Sequence, residues 1–322
     1  MAALAVFWPR SVEAQPQPSG DQFQVNTLTA SAQRDPDVGM DSSGNFVVVW
    51  ESYRSTGADT DGAILAQRYA SDGSPVGTEF IVNSYTTNRQ NDPRVSMNAS
   101  GEFVVVWENV YGPDYPGEGV RARRFAADGS AVGSDFRVSL TDETIRPVPN
   151  VDVRDDGSFV ITWLNLNFSD VLAKRYDSNG VQLGSTIRID AGTFDPVGVA
   201  ALPGGQTLLF WQTFSAAIRD LSFRLYSGAG DAIGDDFVVT DDSADAQPAL
   251  AVDGDGDFLT AWTAFSGSVN GDGDGGAVRA QRFSSDGQPV AGSSLVNSYT
   301  TGSQGEPSVT LLENGDAFIV WE

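Results

Sequence analysis

Apolar and polar positions along this chain follow a long rhythm. The stretch Met40–Glu51 (MDSSGNFVVVWE) returns as Met97–Glu108, Val153–Leu164, Leu202–Gln212, Val252–Thr263 and Leu312–Glu322. Each copy is a polar turn followed by an unbroken run of β-branched and aromatic residues ending in Trp50, Trp107, Trp163, Trp211, Trp262 or Trp321. Such a run without alternation predicts a strand covered on both faces. The tryptophans recur every 48 to 59 residues, a period of repeat architectures.

One full unit, Pro36 to Thr87, carries four strand signals. Strand a spans Asp37–Asp41 and strand b Phe46–Glu51. Strand c spans Ala63–Ala70, and strand d, Glu79–Asn83, follows the Asp72-Gly73 turn, a hairpin signal. Four antiparallel strands per repeat predict an all-β fold, a β-propeller of four-stranded blades. Tandem small β-sandwiches are the rival, but four short strands make too thin a core to stand alone. Helical solenoids need a 3.6-residue pattern that is missing.

Asp21–Thr27 (DQFQVNT) matches strand d of later units, and the chain stops after strand b of another unit. The expectation is therefore six blades, the last closed by the N-terminal strand and lacking one strand. Ending in mid-hairpin, the chain also reads as a fragment of a longer one. Residues 1–20 are expected to be an export signal and linker, since Ala2–Trp8 is apolar and Val12-Glu13-Ala14 precedes Gln15 like a cleavage site. Residues 21–322 form the repeat domain.

The pattern FxVN, QxxP, DxxGxFVVVW, AQR(Y/F), DG resembles the propeller-like repeats of large secreted bacterial proteins. That resemblance implies export to the cell surface, the medium or the periplasm, and carries no catalytic residues. The Asp41–Gly44 turn resembles the Asp-box hairpin of sialidase propellers, without its usual Ser and close-set Trp.

Charge narrows the partners. Nineteen Lys and Arg against 43 Asp and Glu give a net charge of −24, which repels phosphate backbones and anionic lipid heads. Nucleic acid and membrane insertion are thus poor expectations; cations, glycans and extracellular proteins are better ones. No His or Cys is present, which removes thiol nucleophiles, imidazole or thiolate zinc sites and any Ser-His-Asp triad.

Antiparallel order puts turns a–b and c–d on one side, and the longer, variable loops b–c and d–a on the other. Function is expected on those loops. Two b–c loops carry Ca²⁺-like runs of oxygen ligands with Gly: Asp59 and Asp61, and Asn270, Asp272 and Asp274. Gln281 stands where a closing Glu would complete an EF-hand. Tyr53, Tyr111 and Tyr115 in b–c loops, with Tyr85 and Tyr299 in d–a loops, can stack on sugars or anchor a protein. Arg68, Arg124, Arg175 and Arg282 share one place on strand c; a residue repeated in every blade reads as scaffold, pairing with an acid such as Asp41 or Glu51.

The leading expectation is a non-catalytic binding or adhesion module, with calcium as the candidate ion. The alternatives are a propeller-type glycoside hydrolase, for which no carboxylate pair is singled out, and a structural spacer. A catalytic site should break the repeat.

Overall fold

A computed structural model describes residues 3–7, 22–27, 29, 32–53, 62–85, 88–110, 119–139, 148–165, 170–190, 198–215, 218–239, 244–264, 275–298, 300–312 and 315–321. The chain is all-β and divides into two compact units, Gln22–Asp190 and Ala191–Glu322 with Met1–Asp21.

The first unit holds three four-stranded antiparallel blades of the propeller kind. β1 is Ala3–Phe7 and belongs to the second unit. Blade 1 is β2 (Gln33–Met40), β3 (Phe46–Ser52), β4 (Ala63–Tyr69) and β5 (Pro75–Ile81). Blade 2 is β6 (Gln90–Met97), β7 (Phe103–Asn109), β8 (Gly119–Phe125) and β9 (Ala131–Arg137). Blade 3 is β10 (Asn150–Val153), β11 (Phe159–Asn165), β12 (Asp170–Tyr176) and β13 (Gln182–Asp190).

The second unit holds blade 4, with β14 (Gly198–Ala201), β15 (Thr207–Ser215), β16 (Ile218–Tyr226) and β17 (Ala232–Val238). Blade 5 is β18 (Ala244–Val252), β19 (Phe258–Ala264), β20 (Ala277–Phe283) and β21 (Ser294–Leu295). A last sheet is made of β22 (Ser308–Leu311), β23 (Ala317–Trp321) and β1.

The core lies between successive sheets within each unit, as the unbroken apolar runs require. Val47, Val49, Ile64 and Ala66 of blade 1 pack with Phe103, Val105 and Trp107 of blade 2, and Leu208, Phe210 and Phe223 of blade 4 pack with Phe258 and Phe283 of blade 5. All six repeat tryptophans are buried. The first residue of strand b stacks on the last of strand c: Phe46 on Tyr69, Phe103 on Phe125, Phe159 on Tyr176 and Phe258 on Phe283, with centroids 4.7 to 5.0 Å apart. Offset stacks of this kind add to the stabilisation from burial.

The expectation of six blades is corrected: five have four strands and the sixth sheet has three. Its strand c position is taken by β1, which lies inside the stretch read as an export signal, with Phe7 opposite Ala317 and Ala3 opposite Trp321. Asp21–Thr27, the expected closing strand, is not in that sheet. Its described residues instead pack on blade 1. The Phe23 ring lies 5.3 Å from Tyr69, the Tyr69 hydroxyl donates to the Val25 carbonyl at 3.1 Å, and the Thr27 N–H donates to the Glu79 carboxylate. Residues 80–84 of blade 1 meet blade 2 in a corresponding way, with one different donor: Phe80 lies against Phe125, Arg123 donates to the Val82 carbonyl, and the Ser84 N–H donates to Asp135. The repeat is thus kept in side-chain packing where strand pairing is absent.

Candidate functional site

The turn side is consumed by structure. Asp41 accepts from the Ser43 and Asn45 N–H groups at 2.8 and 2.9 Å, and Asp72 and Asp128 accept from Ser74 and Ser130 in the same way. These bonds fix the tight turns and hold the Asp72 and Asp128 carboxyls below their ordinary pKa, the serine hydroxyls contributing most.

The repeated arginines are scaffold, as expected, but their partners differ from expectation. Arg68 donates to the Asp128 and Ala127 carbonyls of the next blade at 2.5 and 2.6 Å, and Arg124 donates to Ser178 at 2.5 Å. Arg175 reaches Leu183 at 3.3 Å. Arg282 finds the expected kind of acid, Asp253, at 3.1 Å, while also donating to Gly315. The reason is local: a tight c–d hairpin leaves carbonyls unpaired at its tip, and the preceding strand c ends beside them. None of these arginines is free for a ligand.

The loop side differs. The FxVN and QxxP motifs meet there: the Asn83 side chain accepts from the Ile64 N–H at 2.8 Å and donates to Gln90 at 3.0 Å and to the Tyr85 carbonyl at 2.8 Å. Asn297 repeats the first two bonds with Val278 and Gln304 at the same lengths. Tyr85 itself is half-buried, with its carbonyl in this clamp. Beyond the Gln, the chain bulges: register shifts between Arg34 and Asp37 and between Asn91 and Arg94. Asp35 and Asp92, each before a proline, sit at φ 49° and 50°, a region costly for a residue with a Cβ and unusual before Pro.

The first bulge places Arg34 opposite Glu51 across the ladder. Glu51 is wholly buried and its Oε1 accepts from Arg89 Nε at 3.0 Å. Burial pushes its carboxyl pKa up, against the lowering pull of Arg89 and the neighbouring Tyr53 hydroxyl. Oε2 makes no hydrogen bond of normal geometry. Tyr53 lies with Arg34 and Arg89 carbons 5.4 and 5.3 Å from its ring centroid, within cation–π range. Nearby Ser52 Oγ, Asn91 Oδ1 and Asn109 Oδ1 are also buried without partners, at a typical cost of about 1–3 kcal/mol per group.

Of the sequence candidates, Tyr53 joins this cluster. Tyr111, Tyr115, Tyr299, Asp59, Asp61, Asn270, Asp272 and Asp274 lie outside the described residues. Among the described residues no group of three or more acidic side chains is placed to hold a metal. Arg34, Arg89 and Glu51 were missed as site residues. Their signal was in the repeat: Arg34 stands where its siblings have Asn91 and Gly305, Arg89 where one has Ser303, and Tyr53 where one has Val110.

No protein-family model and no curated protein sequence matches the chain. Solved structures do resemble it. A protein of unknown function from Dyadobacter fermentans superposes with a TM-score of 0.57 at 12% identity, over 90% of this chain and 94% of that one. The NanB sialidase of Streptococcus pneumoniae gives 0.56 at 9% identity, over 93% of this chain and 67% of that one. The leech intramolecular trans-sialidase gives 0.57 at 9% identity, over 94% and 67%. At these identities the likeness is one of fold, the all-β propeller of four-stranded antiparallel blades.

Proposed function

We propose that the protein is a secreted or cell-surface binding module whose b–c and d–a loop side contacts a glycan or an extracellular protein. One observation carries this reading. All four non-glycine residues with positive φ among those described, Asp35, Asn88, Asp92 and Glu306, lie on the loop side, three of them around Glu51, Arg34 and Arg89. Three of these, Asp35, Asp92 and Glu306, hold the same place before the QxxP proline and belong to the repeat; what supports a working surface beside Asp35 and Asn88 is that Arg34, Tyr53 and Arg89 break the repeat around the buried Glu51. The resemblance to secreted bacterial repeats supports export. Calcium at Asp59 and Asp61, or at Asn270, Asp272 and Asp274, belongs to the same proposal. Neither nucleic acid nor membrane insertion belongs to it, because of the −24 net charge.

The test is a glycan and extracellular-protein array probed with the full chain, Tyr53→Ala, and Asp72→Ala on the turn side. The proposal expects Tyr53→Ala to lose at least about tenfold in affinity and Asp72→Ala to keep it. Absence of any ligand, or a loss confined to the turn-side variant, overturns it. For the ion, melts in EDTA and in millimolar Ca²⁺ should differ, and Asp272→Asn with Asp274→Asn should abolish the difference.

A second reading, a glycoside hydrolase, rests on Glu51, whose raised pKa is a trait of a general acid. Against it, the Glu51 side chain has no accessible surface with which to touch a substrate. Hydrolysis of fluorogenic glycosides that disappears in Glu51→Gln would favour this reading over the binding module.

A further inference from the structure

Arg34, Tyr53 and Arg89 meet on the strand face that carries Glu51. Arg34 is opposite Glu51 across the ladder, Tyr53 follows Glu51 by two residues, and Arg89 reaches the same carboxylate from blade 2. The Tyr53 ring engages both guanidiniums, with the Arg34 and Arg89 Cζ atoms 5.4 and 5.3 Å from its centroid. Both arginines are exposed. Arg89 is bound to Glu51 through Nε, which leaves its Nη edge to solvent, and Arg34 makes no hydrogen bond or ion pair among the described residues. Two guanidinium edges on one exposed patch are donors for an oxyanion.

Arg89 is thereby shared between a buried acid and whatever binds outside. The groups around Glu51 can be named strand by strand. β2 brings Arg34 and Asp35, and the Tyr53 hydroxyl lies beside the carboxylate from its own strand. Ile64 is opposite on β4. Arg89 comes from the start of blade 2, with Asp92 near it. β7 turns Trp107 towards blade 1, with Asn109 two residues on, and Arg121 of β8 is spent on Asp135. Burial already holds the Glu51 carboxyl above its ordinary range while Arg89 pulls it down. Weakening that pull favours the protonated acid.

Resting on the binding-module reading, we propose that the patch of Arg34, Tyr53 and Arg89 receives one singly charged oxyanion group of a glycan, a carboxylate or a sulfate ester, and that Glu51 takes up a proton from solvent as Arg89 turns to the ligand. Glu51 never touches the ligand, because its side chain has no accessible surface. Its pKa is higher in the complex than in the free protein, so affinity rises as pH falls through the first value and levels off below the second. Asp35, Asp92 and the net charge of −24 oppose a long polyanion, so one charged group is the one recognised.

The test is titration of the full chain with glucuronate, its neutral methyl ester and a glucose sulfate ester from about pH 7 to about pH 5, followed by NMR of the arginine Nε–H groups. Both anions keep their charge over this range. The expectation is that at least one anion binds at least about threefold tighter at the lower pH, and that Glu51→Gln binds it without pH dependence. The parent protein alone shows the first effect, so that result does not depend on the variant folding. Arg34→Ala should lose at least about tenfold at every pH, and as Arg34 is exposed it should melt like the parent. The anion that binds more tightly identifies the group. Affinity unchanged with pH, or a pH dependence that Glu51→Gln keeps, overturns the proton uptake. Methyl ester bound as tightly as the acid, or unchanged binding in Arg34→Ala, overturns the oxyanion site. Binding of neither anion at millimolar concentration overturns the inference while the binding module stands, and a blank array in addition removes the binding module itself.

Discussion

Gly129 carries two constraints that can be separated. It lies at φ 82° in the c–d turn of blade 2, and a Cβ built on it would come within 2.7 Å of Arg68 Cδ. Gly133, four residues on, has φ 78° and nothing within 4 Å of such a Cβ. Gly133→Ala should therefore cost only the left-handed backbone, about 1–2 kcal/mol. Gly129→Ala should cost that plus displacement of Arg68 from the Asp128 and Ala127 carbonyls, about 1–2 kcal/mol more after allowing for partial solvent exposure. Arg68→Ala alone should cost about 1–2 kcal/mol for the same two bonds. In the double variant the clash has gone, so the loss should fall short of additive by about 1–2 kcal/mol. Urea unfolding followed by tryptophan fluorescence reads all four proteins. Equal destabilisation by Gly129→Ala and Gly133→Ala, or full additivity with Arg68→Ala, would refute the claim that strand c arginines lock onto the next blade.

Other outcomes follow from the same contacts. Asn83→Ala should destabilise by about 2–4 kcal/mol, because it strands the buried Ile64 N–H and the Gln90 side chain; a change below about 0.5 kcal/mol in urea melts would contradict the clamp. Asp72, Asp128, Asp156 and Asp286 have lowered pKa values, chiefly from serine side chains, so their stabilisation is complete above the ordinary 3.8 and lost as pH falls through the depressed values. Asp37, Glu51 and Asp170 are raised by burial, and their cost at neutral pH disappears as they protonate on acidification. Thermal midpoints should thus hold or rise from pH 7 towards about 5 and drop below about 4; a steady fall from pH 7 would contradict this balance. With a net charge of −24, added NaCl between about 10 and 200 mM should raise the midpoint by screening self-repulsion, and a fall would count against it.

The blades were legible because the sequence repeats its most constrained part. Strand b must be apolar on both faces, and the c–d turns need glycine at positive φ, so Phe46–Glu51 and Asp72-Gly73 announce themselves in every copy. The partner of Arg68 was not legible, since a backbone carbonyl on the next blade leaves no residue signature. Ala3–Phe7 lies in the stretch expected to be an export segment and pairs with β23, a pairing the sequence did not announce because a short apolar run looks alike in a signal peptide and in a strand. The Arg34, Tyr53, Arg89 and Glu51 cluster lay between these cases. Its members break the repeat at three positions, but the bulge at Asp35-Pro36 that sets Arg34 opposite Glu51 is a backbone event invisible to strand periodicity.

The account turns on which side of the blades works. Hydrogen–deuterium exchange of the full chain, with and without the strongest ligand from the array, compares the two sides directly. The predicted result is added protection in 32–53 and 88–110, with the turns at 70–74 and 126–130 unchanged. Protection centred on those turns, with the stretches around Arg34 and Arg89 unaffected, would contradict it.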